Sequence, residues 1–212
     1  MKPHFVRRLF GIALLAGFCS CATSSLKRTW ISPDYTGGPV KSVAVVVVAD
    51  RPEVRQVLEG QFSYQLEQRG HPAVRVGQLM SLEEMKADRE ATAAKFREAG
   101  ATSVMIVKLV GSEMRLNETQ ETAHRYGMVA TGDEGFGWYG YYLTSLTDMA
   151  VVRSNLRADL FLETSLHDLA SGRRLWAGVT QTKLGENTDR LEEVEPLVSA
   201  LIAGMRKDGV IK

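Results

Sequence analysis

The chain has 212 residues, 44% of them hydrophobic and 24% charged, with 26 Lys and Arg against 25 Asp and Glu for a formal net charge of +1. Its basic residues are scattered among glutamates rather than gathered into a stripe, which argues against nucleic acid as a partner. The length supports one good core, there is no internal repeat or low-complexity tract, and two cysteines, Cys19 and Cys21, are too few and too close for a disulfide framework.

At the amino terminus Lys2, Arg7 and Arg8 precede the apolar run Leu9 to Phe18, the charged-then-hydrophobic order of an export signal. The run ends at Phe18-Cys19-Ser20-Cys21, short of the about 20 apolar residues that a membrane-spanning helix needs. The stretch resembles the lipobox of bacterial lipoproteins, with Ser20 in the small-residue position and Cys21 as the acceptor. Cys19 is a poorer acceptor because Phe18 would have to fill that position. The resemblance implies removal of residues 1–20 and acylation of Cys21, and Ala22 after the cysteine implies the outer membrane. An ordinary cleaved signal followed by a soluble protein is the rival reading. Cysteine usage weighs against it: after cleavage one sulfur remains, at the new amino terminus, where it serves no internal disulfide. Each buried methylene of an acyl chain contributes about 0.8 kcal/mol, so two or three chains anchor stably. Processing would remove three basic residues, leaving 26 − 3 = 23 against 25 acidic ones, a mature net charge of −2.

Residues 21–41, with Ser24, Ser25, Pro33, Gly37, Gly38 and Pro39, read as a lipidated tether without sustained periodicity. Residues 42–212 then read as a single α/β domain. The β-branched run Ser42 to Ala49 predicts a central strand buried on both faces. Asp50 and Glu53 form a candidate capping box, with Val54, Val57, Leu58, Phe62 and Leu66 as the inward stripe of a helix over 51–69 that Gly70 stops. A short strand at 73–76 precedes a second helix, opened by a capping box at Ser81 and Glu84 and running to Ala99 before Gly100. A third strand spans 102–110. Crossovers of this length require the three strands to be parallel.

The later chain changes character. Residues 155–167 alternate, with Leu156, Leu160, Leu162 and Leu166 on one side and Arg157, Asp159, Glu163 and His167 on the other, which predicts a half-buried strand with a solvated polar face. Residues 168–172 turn it into a partner strand over 174–184, and Leu191, Val194, Val198, Leu201, Ile202 and Met205 mark a closing helix. The fold class expected is therefore α/β: β-α-β-α-β, then an antiparallel hairpin and a closing helix, with a mixed sheet packed against helices.

Between the halves lies a Gly/aromatic-rich insertion at about 115–153, read as a long loop. Its glycines alternate with Phe136, Trp138, Tyr139, Tyr141 and Tyr142, large amphipathic side chains suited to a partner surface or a membrane headgroup zone. These five are the candidate partner-binding residues.

Catalytic signatures are not found. Ala49-Asp50-Arg51-Pro52 follows the first strand where a phosphate loop would need glycines, so no nucleotide cofactor is expected. His71, His124 and His167 have no metal-ligand companions at the required spacing, and no nucleophile elbow is present. The one residual acid-base set is Asp159, Glu163 and His167. The expectation is no catalytic residue, no metal and no cofactor.

Taken together, strand 42–49, helix 51–69, strand 102–110 and the hairpin Leu166 to Trp176, with Asp168, Ser171, Gly172, Leu175 and Trp176, resemble the periplasmic lipoproteins that include the penicillin-binding-protein activators and the curli secretion lipoprotein, whose domains are similar to the amino-terminal domain of TolB. That resemblance implies a non-enzymatic envelope lipoprotein that binds another envelope protein or self-assembles. A lipid-anchored enzyme, using the insertion and the Asp159/Glu163/His167 face, is the alternative.

Overall fold

The computed structural model describes residues 24–110, 137–152, 159–183 and 194–212. Its strands are β1 (Ser24–Ile31), β2 (Val43–Val48), β3 (Ala73–Arg75), β4 (Ser103–Val110), β5 (Asp159–Asp168) and β6 (Arg174–Lys183). Its helices are α1 (Pro52–Glu67), α2 (Leu82–Ala87), α3 (Arg89–Glu98), α4 (Gly137–Val152) and α5 (Val194–Lys207), with a 3-10 turn at Val76–Gln78. The strands form one sheet in the order β1-β6-β5-β4-β2-β3. β2 is parallel to β3 and β4, and the remaining pairings are antiparallel. This is the expected α/β class with a mixed sheet.

Helices cover both faces of the sheet. Alternate residues of β2 serve two cores: Val43, Val45 and Val47 pack with α1 and α5, while Ala44, Val46 and Val48 pack with α2, α3 and α4. All six are at most 1% exposed, as expected of a strand with almost no polar residue. Ser81 caps α2 as the sequence predicts: its Oγ accepts from the Glu84 N–H at 3.1 Å and the Glu84 carboxylate accepts from the Ser81 N–H at 2.6 Å.

Four differences from the sequence reading have local causes. The tether is not featureless from its start, because β1 is an edge strand zipped to β6 from Ser24↔Thr182 to Ile31↔Trp176. Its alternation is interrupted by a register shift between Leu26 and Arg28, which conceals a period of two in the sequence. Helix 81–99 breaks at Asp88, whose backbone is extended (φ −149°) and whose carboxylate accepts from the Ala91 N–H at 3.0 Å, capping α3. The residue in the capping position of α1 is Arg51 rather than Asp50, and Arg51 makes no side-chain cap. The insertion is not all loop, since residues 137–152 form α4.

Two glycines permit close contacts. A Cβ on Gly178 would lie 2.3 Å from the Trp176 ring, so the indole lies across the bare backbone of its own strand, and its Nε1 donates to Asp208 at 2.8 Å. A Cβ on Gly204 would lie 2.5 Å from Leu26 Cδ2, which lets α5 approach β1 closely.

Candidate functional site: a sealed charge cluster under α4

The antiparallel register sets Lys108 of β4 beside Glu163 of β5, and His167 of β5 beside Arg174 of β6. Glu163, Ser165 and His167 share one face of β5 because side chains alternate along a strand. That face is roofed by α4, whose Tyr141 points down into the group. The Tyr141 hydroxyl donates to Glu163 Oε1 at 2.6 Å, and Lys108 Nζ lies 3.4 Å from Glu163 Oε2. The Tyr141 ring also stacks with cations, with Lys108 Nζ 5.0 Å and the Arg174 guanidinium carbon 4.8 Å from its centroid, and it packs against the His167 imidazole at 5.5 Å.

These groups are out of water. Glu163 is 0% exposed, His167 2%, Lys108 5% and Tyr141 8%. Burial first, then the neighbouring Arg174 charge, pushes the His167 pKa down to about 3, so the ring is neutral at ordinary pH. Its partners assign the tautomer. Nδ1 faces the Gly172 carbonyl at 3.3 Å, which can only accept, so Nδ1 carries the proton; Nε2 accepts from Ser165 Oγ at 3.0 Å. Burial, reinforced by the charge and hydrogen bond of Glu163, raises the Tyr141 phenol well above its ordinary value and keeps it a donor. The cluster therefore holds a helix to a sheet through charge-assisted bonds in a dry interior.

The expected solvated face of β5 is corrected by this arrangement: Glu163 and His167 are fully covered. β5 lies inside the sheet between β4 and β6, and α4 closes the face above it. Sequence alternation distinguished the two faces correctly in phase but could not reveal a second layer above the polar one. The sequence does not single out Lys108 or Arg174, and it marks Tyr141 as a partner-binding aromatic rather than as a member of this cluster. A lysine within a largely apolar strand, followed by Leu109 and Val110, is the available signal for a buried partner.

Four of the candidate partner-binding aromatics pack into the same layer as this cluster. Trp138 and Tyr142 are 2% and 0% exposed, and Tyr139 is half-buried. Trp138 packs on Phe96 with centroids 5.7 Å apart and edge-on to Tyr139 at 5.5 Å. The hydroxyls of Tyr139 and Tyr142 donate to the carbonyls of Lys86 and Leu82. Their large apolar rings with one polar tip suit them to clamp α4 on α2 and α3. Gly137 (φ +53°) and Gly172 (φ +75°) make this docking possible, since a Cβ on either would be 3.3 Å from the other's backbone. Phe136 and Cys21 lie outside the described residues, as does His124.

At the opposite end of the sheet from the start of β1 is an open groove of about 380 Å³, lined among others by Asp34, Tyr35, Lys41, Asp168 and Arg173. Arg173 and Asp34 pair across it at 2.7 Å on exposed side chains. His71 ties down the carboxyl-terminal segment nearby: its Nδ1 is 2.8 Å from the Val40 carbonyl and its Nε2 accepts from the Lys212 N–H at 2.9 Å. Among the described residues no group of three or more His, Cys, Asp or Glu side chains is placed to hold a metal ion, and no helix is long and apolar enough to cross a membrane.

No protein-family profile matches the chain, and no curated protein matches it. Among solved structures it is similar to the PelC dodecamer from Paraburkholderia phytofirmans in two crystal forms. Both align at a TM-score of 0.42 with 11% identity, over 85% of this chain and 96% of that one in the first and 84% and 95% in the second. It is also similar to lipoprotein GNA1162 from Neisseria meningitidis, at a TM-score of 0.37 and 15% identity over 79% of this chain and 99% of that one.

Proposed function

We propose that the protein is a non-enzymatic envelope lipoprotein, acylated at Cys21 after loss of residues 1–20 and held by its lipid at the periplasmic face of the outer membrane. Its α/β domain serves as a protein-interaction or assembly module, in the manner of the lipoproteins whose domains resemble the amino-terminal domain of TolB. The observation that carries this reading is the junction itself: a charged and then apolar leader ends on Ser20-Cys21, and that cysteine is the only sulfur of its kind left after processing.

Burial of Glu163 and His167 supports a non-catalytic role. A general base must come within hydrogen-bond reach of its substrate, and Glu163 and His167 are enclosed and engaged by Tyr141, Lys108, Ser165 and Gly172. The test is the intact mass of the mature protein expressed with its own leader in a bacterium with two membranes. The expected result is a chain beginning at Cys21 with the added mass of two or three acyl chains, lost in Cys21→Ser. An unmodified amino terminus would refute the anchor. For the module, crosslinking in intact cells is expected to trap either a second copy or another envelope protein, and a chain that stays free of adducts would count against that role.

A further inference from the structure

We infer that the end of the sheet where β1 begins is the domain's membrane-facing surface, docked against the lipid bilayer; this rests on the anchoring of Cys21 proposed above. Only Ala22 and Thr23 separate Cys21 from Ser24, the first residue of β1. Three residue steps span at most about 11 Å even when fully extended. β1 adds no slack, because it is paired with β6 from its first residue, where Ser24 Oγ lies 2.8 Å from Thr182 Oγ1.

The register extends this corner into a whole end of the molecule. Ser24 pairs with Thr182, and Thr182 with Leu160. The next residue, Phe161, pairs with Val110, and two residues back along β4, Lys108 pairs with Val48 at the end of β2. The first turn of α1, with exposed Arg51 and Glu53, follows directly. The hairpin turn at Leu169–Arg173 and the Asp34/Arg173 groove lie at the far end, beyond the ten residues of β6, which is about 30 Å away at the rise of a strand. A leash about a third as long as the domain forbids inversion and pulls the Ser24 end onto the lipid. The groove then opens away from the membrane, toward whatever the protein meets in solution.

Orientation can be read with probes on two exposed positions, Glu53→Cys at the near end and Ser171→Cys at the far end. Cys21, once thioether-linked, leaves no competing thiol. Each acylated variant is labelled with an environment-insensitive fluorophore and bound to vesicles of phosphatidylethanolamine and phosphatidylglycerol containing a lipid with a short-range nitroxide quencher on its headgroup. The expected result is quenching at least about threefold stronger at 53 than at 171, given their separation of about 30 Å along the strands. Equal or stronger quenching at 171, in protein that carries acyl mass and binds the vesicles, would overturn the orientation while leaving the anchor intact. Protein without acyl mass that fails to bind would overturn the anchor, and the orientation with it. Inserting about ten Gly and Ser residues between Thr23 and Ser24 should bring the ratio toward one by lengthening the leash, and a ratio unchanged by the insertion would overturn the leash as its cause.

Discussion

Glu163 sits with one oxygen on a phenol and the other beside an ammonium, in a place where water cannot substitute for either partner. Glu163→Gln leaves Lys108 buried beside a neutral amide and is expected to cost about 3–5 kcal/mol in urea unfolding. Replacing both members, Lys108→Met with Glu163→Leu, should cost less than the single change, because no uncompensated charge is left behind. Equal or greater loss in the double variant would mean that the pair matters through something other than its charges. His167 supplies a pH dependence with a defined sign. Its folded pKa, about 3, is below the unfolded value of 6.5, so on acidification the unfolded chain takes up the proton first. The resulting stabilisation is complete above the unfolded value and is lost progressively as pH falls from 6.5 toward 3. Between about pH 7 and about pH 5 this one group should remove about 2 kcal/mol, and His167→Gln should flatten the slope of stability against pH over that interval. An unaltered slope would place the titrating group elsewhere. Little of this chemistry was legible in advance. The sequence shows Glu163 and His167 two turns of alternation apart, but not that Tyr141, more than twenty residues earlier, would cover them.

Elements with local signals were read well, and those whose signals are tertiary were not. The capping box at Ser81 is complete within four residues and forms as expected. Ser81→Ala should cost about 1 kcal/mol, measured against wild type in chemical denaturation, and no loss would mean that packing of Leu82 and Met85 alone holds α2 in place. At the start of α1 the sequence places the cap at Asp50, whereas Pro52 takes the first helical position and puts Arg51 in the capping position. α4 was hidden for a different reason. Glycines at 137 and 140 and aromatics between them weaken helix propensity, and contacts to the sheet with the Tyr139 and Tyr142 hydrogen bonds to α2 outweigh that deficit. β6 shows a contact of similar origin. Gly178→Ala should push the Trp176 indole off its strand and cost at least about 1–3 kcal/mol. In a Trp176→Leu background the same alanine should be nearly neutral, so the two changes should couple by more than 1 kcal/mol in a double-mutant cycle. Additivity would remove the stacking explanation.

For the molecule as a whole, class and strand direction followed from patterns that survive any context: an apolar strand that must be buried on both faces, crossover lengths that require parallel neighbours, and a Gly-containing turn at 168–172 that reverses the chain. The outer layer of that architecture did not follow, because whether a polar face meets solvent or a second layer depends on segments distant in sequence. The part played by β1 is the clearest case. It precedes the other strands in the chain, yet among the described residues its one sheet neighbour is β6, so its hydrogen bonds close a loop of more than 150 residues. Each doubling of such a loop adds only about 0.6 kcal/mol of closure entropy, so the arrangement is thermodynamically mild but kinetically late. The strand nearest Cys21 therefore stays without its partner until almost the entire polypeptide has been synthesised. During that interval the backbone N–H and C=O groups of β1 have no strand to pair with, so the amino-terminal edge of the sheet is the last to be zipped shut.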